Sequence, residues 1–194
     1  MPSKEIPLKE TSGSQGESPL LDGQEVLVMA HCLLNALTRV KGLEPVAFSP
    51  AGPTIQLPCP EALYLGLERW AVTRNQLDIP EHRRFCRSLI VHYADLMEML
   101  AKEGVRVRVV GVAGSPSCGV QTTSFGYAGG RVHEAEHEHV PGRGIFMEEL
   151  IGEMERRGIP YEAEEVGKKC MNEAEFGSMP GIEPFMREER DRFE

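Results

Sequence analysis

Three short apolar runs, each closing on a cysteine, constrain this chain more than any other feature. Glu25-Val26-Leu27-Val28-Met29-Ala30 leads straight into His31-Cys32-Leu33-Leu34-Asn35. Thr54-Ile55-Gln56-Leu57 is closed by Pro58-Cys59-Pro60-Glu61. Val105-Arg106-Val107-Arg108-Val109-Val110-Gly111-Val112 enters Gly114-Ser115-Pro116-Ser117-Cys118-Gly119. Short apolar runs of this kind read as strands of a buried parallel sheet. The prolines around the second leave it room for only a few residues.

Helical patterns separate the strands. From Glu81 to Gly104, Phe85, Leu89, His92, Leu96 and Leu100 recur at intervals of three and four, with Pro80 at the start and Gly104 at the end. A second amphipathic helix is predicted over Ile145 to Arg157, ended by Gly158, with an edge strand at Ile159–Ala163. Strands alternating with helices predict an α/β fold, a Rossmann-like three-layer α/β/α domain with a short parallel sheet. Parallel strands present their C-terminal ends on one edge, where such sheets bind ligands. Cys32, Cys59 and Cys118, far apart in sequence, are therefore expected to converge there.

The 194 residues suit one domain. Residues 1–23 read as a flexible leader, 24–166 as the α/β domain and 167–194 as a charged tail. A net charge of −9 with no basic run argues against nucleic acid as a partner. No stretch approaches the ~20 apolar residues of a membrane span, and the first residues lack an apolar signal core. Five scattered cysteines do not make a disulfide framework, so they are expected to be reduced thiols in the cytoplasm. No feature of the sequence sets an oligomeric state.

Any single cysteine can be a small buried hydrophobe, and Cys86 in the helical pattern and Cys170 in the tail are assigned that structural role. The three at strand ends suit a zinc site, an iron–sulfur cluster or a nucleophile. Structural zinc takes four ligands, often in Cys-x-x-Cys pairs, which are absent here. His31 adjoins Cys32, and neighbours on an extended strand point to opposite faces. A cluster on three cysteines leaves one iron open to substrate. Spacing alone leaves cluster and zinc side by side. Cys118 could also serve as a nucleophile, with His31 the one nearby candidate base.

His133-Glu134-Ala135-Glu136-His137 fits H-E-x-x-H, which needs a helix to bring both imidazoles to one metal. Gly129-Gly130 and Pro141-Gly142 leave barely two turns. The expectation is an acidic, His-bearing loop over the site, with adventitious metal binding by His133, His137 and His139.

Together, the Cys32, Cys59 and Cys118 segments resemble the signature of the 2-thiouracil desulfidase family, and within it the branch of desulfidase-related proteins. The resemblance continues through Tyr64-Leu65-Gly66-Leu67-Glu68-Arg69-Trp70 and Gly142-Arg143-Gly144-Ile145-Phe146-Met147-Glu148-Glu149-Leu150, and spans about Glu25 to Val166. It implies a 4Fe-4S cluster on Cys32, Cys59 and Cys118, with one open iron that takes the sulfur of a small thiolated molecule. It places the catalytic acid of the Cys-Pro-Glu motif on Glu61 and the catalytic serine on Ser115, with Ser117 as the competing position. The implied activity is non-redox hydrolysis of a C–S bond, releasing sulfide from a thiouracil-like base or a similar compound. From another class, a cluster- or zinc-binding sensor or sulfur carrier without turnover would use the same three thiols. A carboxyl group two residues from a ligand suits proton transfer to water, and equally suits the first turn of a helix opened by Pro60. Either serine could donate to substrate or cap a turn.

Overall fold

The structure, a computed structural model, describes residues 21, 23–46, 48–127 and 137–167. Nearly all of the expected leader and tail, Cys170 included, lies outside the described residues. The described strands are β1 (Glu25–Met29), β2 (Thr54–Gln56), β3 (Arg106–Val112), β4 (Thr122–Phe125), β5 (Glu138–Pro141) and β6 (Tyr161–Val166). The helices are α1 (His31–Leu34), α2 (Pro60–Leu65), α3 (Arg74–Leu77), α4 (Pro80–Lys102) and α5 (Ile145–Arg157), with a 3-10 turn at Ala36–Thr38.

The main sheet has the order β2-β1-β3-β6 and is parallel throughout, as the alternating pattern requires. The chain leaves β1 toward β2 on one side, whereas β3 leads to β6 on the other. The crevice between β1 and β3 is thus a switch point of the kind at which open α/β sheets bind ligands. Val28, Met29, Val109 and Val110 are wholly buried, because central parallel strands are covered on both faces. The last expected strand is present as β6, at the sheet edge and shifted to Tyr161–Val166.

α5 has the predicted bounds and buries Ile145, Phe146, Met147, Leu150, Ile151 and Met154 completely. Gly158 ends it in the left-handed conformation, φ 68°, that a Cβ disfavours. α4 packs along α5, but on a face offset from the predicted one. It buries His82, Cys86, Ile90, Ala94 and Met97, while His92 and Leu96 are exposed. The helix carries two adjacent apolar rows, and Leu89 and Leu100 of the predicted one are partly buried against the core. Arg83 and Arg87 of α4 bond Glu149 of α5, and Arg157 of α5 bonds Asp95 and Glu98 of α4. Cys86 is thus a core residue.

β4 and β5 form a separate antiparallel hairpin with Ser124 opposite His139. Neither strand was expected from the sequence.

Candidate functional site

Cys32, Cys59 and Cys118 line one cavity of about 780 Å³, together with Glu61 and Ser115. Its size falls within the ~300–1,000 Å³ of small-molecule pockets. The convergence follows from register. Met29 of β1 pairs with both Gln56 of β2 and Val110 of β3. Cys32 and Cys59 each come three residues after a paired position, so their segments leave the sheet level with one another.

Each thiol has its own local support. Cys32 is the second residue of α1, and the chain turns at His31 rather than continuing as a strand. His31 Nδ1 donates to the Leu57 carbonyl at 3.1 Å, a strut between the ends of β1 and β2, and His31 is not on the cavity wall. Cys59 is the N-cap of α2, with its sulfur accepting from Ala62 N–H at 3.4 Å and Pro60 filling the first helical position. Cys118 closes a tight loop after β3. The Ser115 hydroxyl oxygen accepts from the N–H groups of Cys118 (2.9 Å) and Ser117 (3.4 Å).

That loop is clamped from two sides. Cys118 carbonyl accepts from Val112 N–H at 2.8 Å, and a Cβ on Gly111 would collide with the same oxygen. The carbonyls of Gly119, Pro116 and Ser117 accept from Gly144, Ile145 and Met147 N–H. They satisfy donors at the start of α5 that lack partners within the helix. A Cβ on Gly144 would run into the Ser117 carbonyl group. The Gly142–Leu150 segment is the platform on which the Cys118 loop sits.

Burial pushes the Cys32 thiol above its ordinary value, with the nearby Arg39 guanidinium pulling the other way. Burial likewise raises Cys59, opposed by the Ala62 N–H. Cys118 is pushed far up, first by burial and then by the facing Cys32, Cys59 and Glu61. Reactive cysteines are low-pKa and accessible, so the buried Cys118 thiol is poorly set as a nucleophile. All three thiols are free of disulfides.

Glu61 lies in the first turn of α2 and is 8% exposed. Arg69 Nε donates to its Oε2 at 3.1 Å, and Arg69 also donates to the carbonyls of Gly66 and Thr38. One guanidinium thereby ties α2 to the 3-10 turn and fixes the carboxylate, whose Oε1 has no hydrogen-bond partner among the described residues. Ser115 is on the cavity wall, and its hydroxyl hydrogen stays available while the oxygen caps the turn. Ser117 is wholly buried off that wall, its Oγ without a partner among the described residues.

His137 and His139 also line the cavity. Their rings are 5.8 Å apart, and Tyr127 hydroxyl lies 3.3 Å from His137 Nδ1. His133, Glu134 and Glu136 of the H-E-x-x-H string lie outside the described residues. His137 immediately precedes β5 and is not helical, unlike the second histidine of a zinc-protease helix. Arg39, Arg69 and Ser124, all on the wall, were not singled out from the sequence. Arg69 stands inside a quoted motif, but nothing in the motif discloses its partner.

Among the described residues no three His, Cys, Asp or Glu side chains come together as ligands of one ion, and no helix is long and apolar enough to cross a membrane. No family model and no solved structure matches the chain. It is 27% identical over 158 residues to the uncharacterized protein MJ0003 of Methanocaldococcus jannaschii, covering 76% of this chain and 89% of that one.

Proposed function

We propose that this protein removes sulfur from a small thiolated compound by hydrolysis, using a 4Fe-4S cluster held by Cys32, Cys59 and Cys118. The observation that carries the reading is the sharing of one cavity by three free thiols from three strand ends with Glu61 and Ser115. The donor set fits a cluster better than a single ion. A cluster spreads its thiolates over separate irons, whereas a zinc site gathers its ligands around one centre. Free thiols and an oxygen-sensitive cofactor suit the reducing cytoplasm.

When bound, such a cluster supplies an iron without a protein ligand, a Lewis acid for the substrate's sulfur. The chain supplies the rest. Glu61, aimed by Arg69, takes a proton from the attacking water at Oε1 and returns one as sulfide leaves. The C–S bond breaks, a C–O bond forms, and no electrons are gained or lost. Ser115 donates its hydroxyl hydrogen to the substrate while the Cys118 and Ser117 amides hold its oxygen.

Anaerobic reconstitution with iron and sulfide, followed by absorbance and EPR spectra and by sulfide release from 2-thiouracil, tests the proposal. The expected result is a visible charge-transfer band and stoichiometric conversion to uracil. Absence of the band, with zinc bound instead, would remove the cluster and the mechanism together.

A further inference from the structure

The cavity wall carries a cation that the proposed chemistry does not use. Arg39 caps the 3-10 turn, its N–H donating to Ala36 carbonyl at 3.1 Å, and the preceding Thr38 carbonyl is held by Arg69. Its position is therefore tied, through Arg69, to Glu61. Among the described residues Arg39 Nε is shielded from solvent and has no hydrogen-bond partner; the guanidinium has the Cys32 thiol as a polar neighbour, and no carboxylate pairs with it. Arg69, by contrast, has a partner on each of its three nitrogens, Glu61 and two carbonyls. Glu44, also on the wall, is exposed and makes no ion pair with Arg39.

The Cys32 thiol engages the guanidinium but leaves Nε unmet, and a shielded donor without a partner is costly. A guanidinium in a cavity recovers that cost when a ligand brings a planar anion to it, since its fork matches a carboxylate with two parallel bonds. We infer that Arg39 anchors a carboxylate on the substrate, so that the compound processed is a thiolated acid rather than a neutral thiolated base. The inference rests on the desulfidase reading for the sulfur end alone. The anion end stands on the geometry of Arg39.

The test uses the full chain, reconstituted without oxygen, and two ligands that differ by one carboxylate: 2-thiouracil and 6-carboxy-2-thiouracil. Binding is measured by calorimetry after iron content and absorbance are recorded. The wild-type chain is expected to bind the acid about 10–100-fold more tightly, the range for a hydrogen-bonded charge pair. R39Q should bring the acid down to the affinity of 2-thiouracil while leaving that affinity and the iron content unchanged. R39K should fall between, keeping the charge but losing the fork.

Equal binding of the two ligands by the wild-type chain overturns the inference, as does an R39Q chain that keeps the preference. If R39Q takes up no iron, the comparison is made on iron-free wild-type and R39Q chains with uracil and 6-carboxyuracil. There, a preference lost with Arg39 supports the anchor, and one that persists or is absent from both chains assigns Arg39 to the Cys32 thiolate instead. The two readings fail separately. An Arg39-dependent preference without sulfide release sinks the desulfidase reading, and sulfide release without any preference sinks this one.

Discussion

Met29 pairs with Gln56 across β1 and β2, and each stands three residues before a cysteine of the cavity. The pairing sets two of the three thiols level at the sheet edge, and β3 adds the third after a longer loop. Val26, Val28, Val107 and Val109 are buried on one face while Glu25, Arg108, Glu162 and Glu164 stay partly or fully exposed on the other. A strand cannot slip by one residue without exposing Val28 or burying a charge, so the register is strongly held. The relative level of Cys32 and Cys59 is therefore a property of the core, whereas Cys118 depends on its loop.

The cysteines should divide three against two. After anaerobic reconstitution, Cys32→Ala, Cys59→Ala and Cys118→Ala are each expected to lose most bound iron and the visible band, because two thiolates hold a cluster poorly. Cys86→Ala and Cys170→Ala should bind iron as the wild type does, Cys86 being a core residue of α4. Iron and sulfide analysis decides the matter, and loss of the cluster in Cys86→Ala with retention in Cys32→Ala would reverse the assignment.

Glu61 and Arg69 should separate catalysis from architecture. Glu61→Gln is expected to keep the absorbance of the wild type and lower turnover of a thiolated pyrimidine about 100-fold, the effect of a lost general acid–base. Arg69→Met strands a carboxylate whose side chain is 10% exposed. It should cost about 3–5 kcal/mol in denaturant unfolding, with part regained in the double variant with Glu61→Gln. Wild-type turnover in Glu61→Gln would leave the residue a helix-start carboxylate and no more.

His82 should make stability fall in mild acid. It is wholly buried against Tyr64 and Cys86, and burial, helped by Arg83, holds it below its ordinary 6.5 against the opposing effects of the Leu77 carbonyl and Glu61. The unfolded chain takes up a proton as pH drops through about 6.5, and the folded chain does not until its lower value is reached. Its contribution is thus present above 6.5 and lost as pH falls through the folded value, with a slope of at most ~1.4 kcal/mol per pH unit. Urea unfolding between pH 7.5 and about 5 should show a smaller slope in His82→Gln than in the wild type. Equal slopes would assign the acid sensitivity to other groups, such as His139, which burial also lowers.

The sheet and the convergence of thiols were legible because they depend on local signals: apolar runs of strand length, Pro and Gly at their ends, and the common polarity of parallel strands. The buried face of α4 was not, because Phe85, Leu89, Leu96 and Leu100 form the more apolar row while the core takes Cys86, Ile90, Ala94 and Met97. Leu89 and Leu100 only pack against the edge of that core, and the helix meets α5, which lies elsewhere in the sequence. The β4–β5 hairpin escaped notice because its strands are short, polar and joined across a Gly-rich stretch. Ser115 and Ser117 could not be told apart by motif, since only the path of the loop puts one on the cavity wall and the other behind it. Pairings such as Arg69 with Glu61 depend on where loops cross and leave no periodic trace.

The N-cap glycine of α5 and the glycine inside it should respond in opposite directions, which tests whether the Cys118 loop depends on that helix. A Cβ on Gly144 meets the Ser117 carbonyl group and, at 2.8 Å, the Cys118 nitrogen, all backbone and unable to swing aside. Gly144→Ala should therefore destabilise by about 1–3 kcal/mol, the usual cost of overpacking, and lower iron uptake by displacing Cys118. Gly152, inside α5, has nothing within 4 Å of an added Cβ. Gly152→Ala should stabilise by about 0.5–1 kcal/mol through helix propensity alone, with iron uptake unchanged. Thermal unfolding and iron analysis on both variants give the comparison. Full iron uptake in a destabilised Gly144→Ala would show that the thiol keeps its place without the platform, and the clamp would then be a matter of stability rather than of the site.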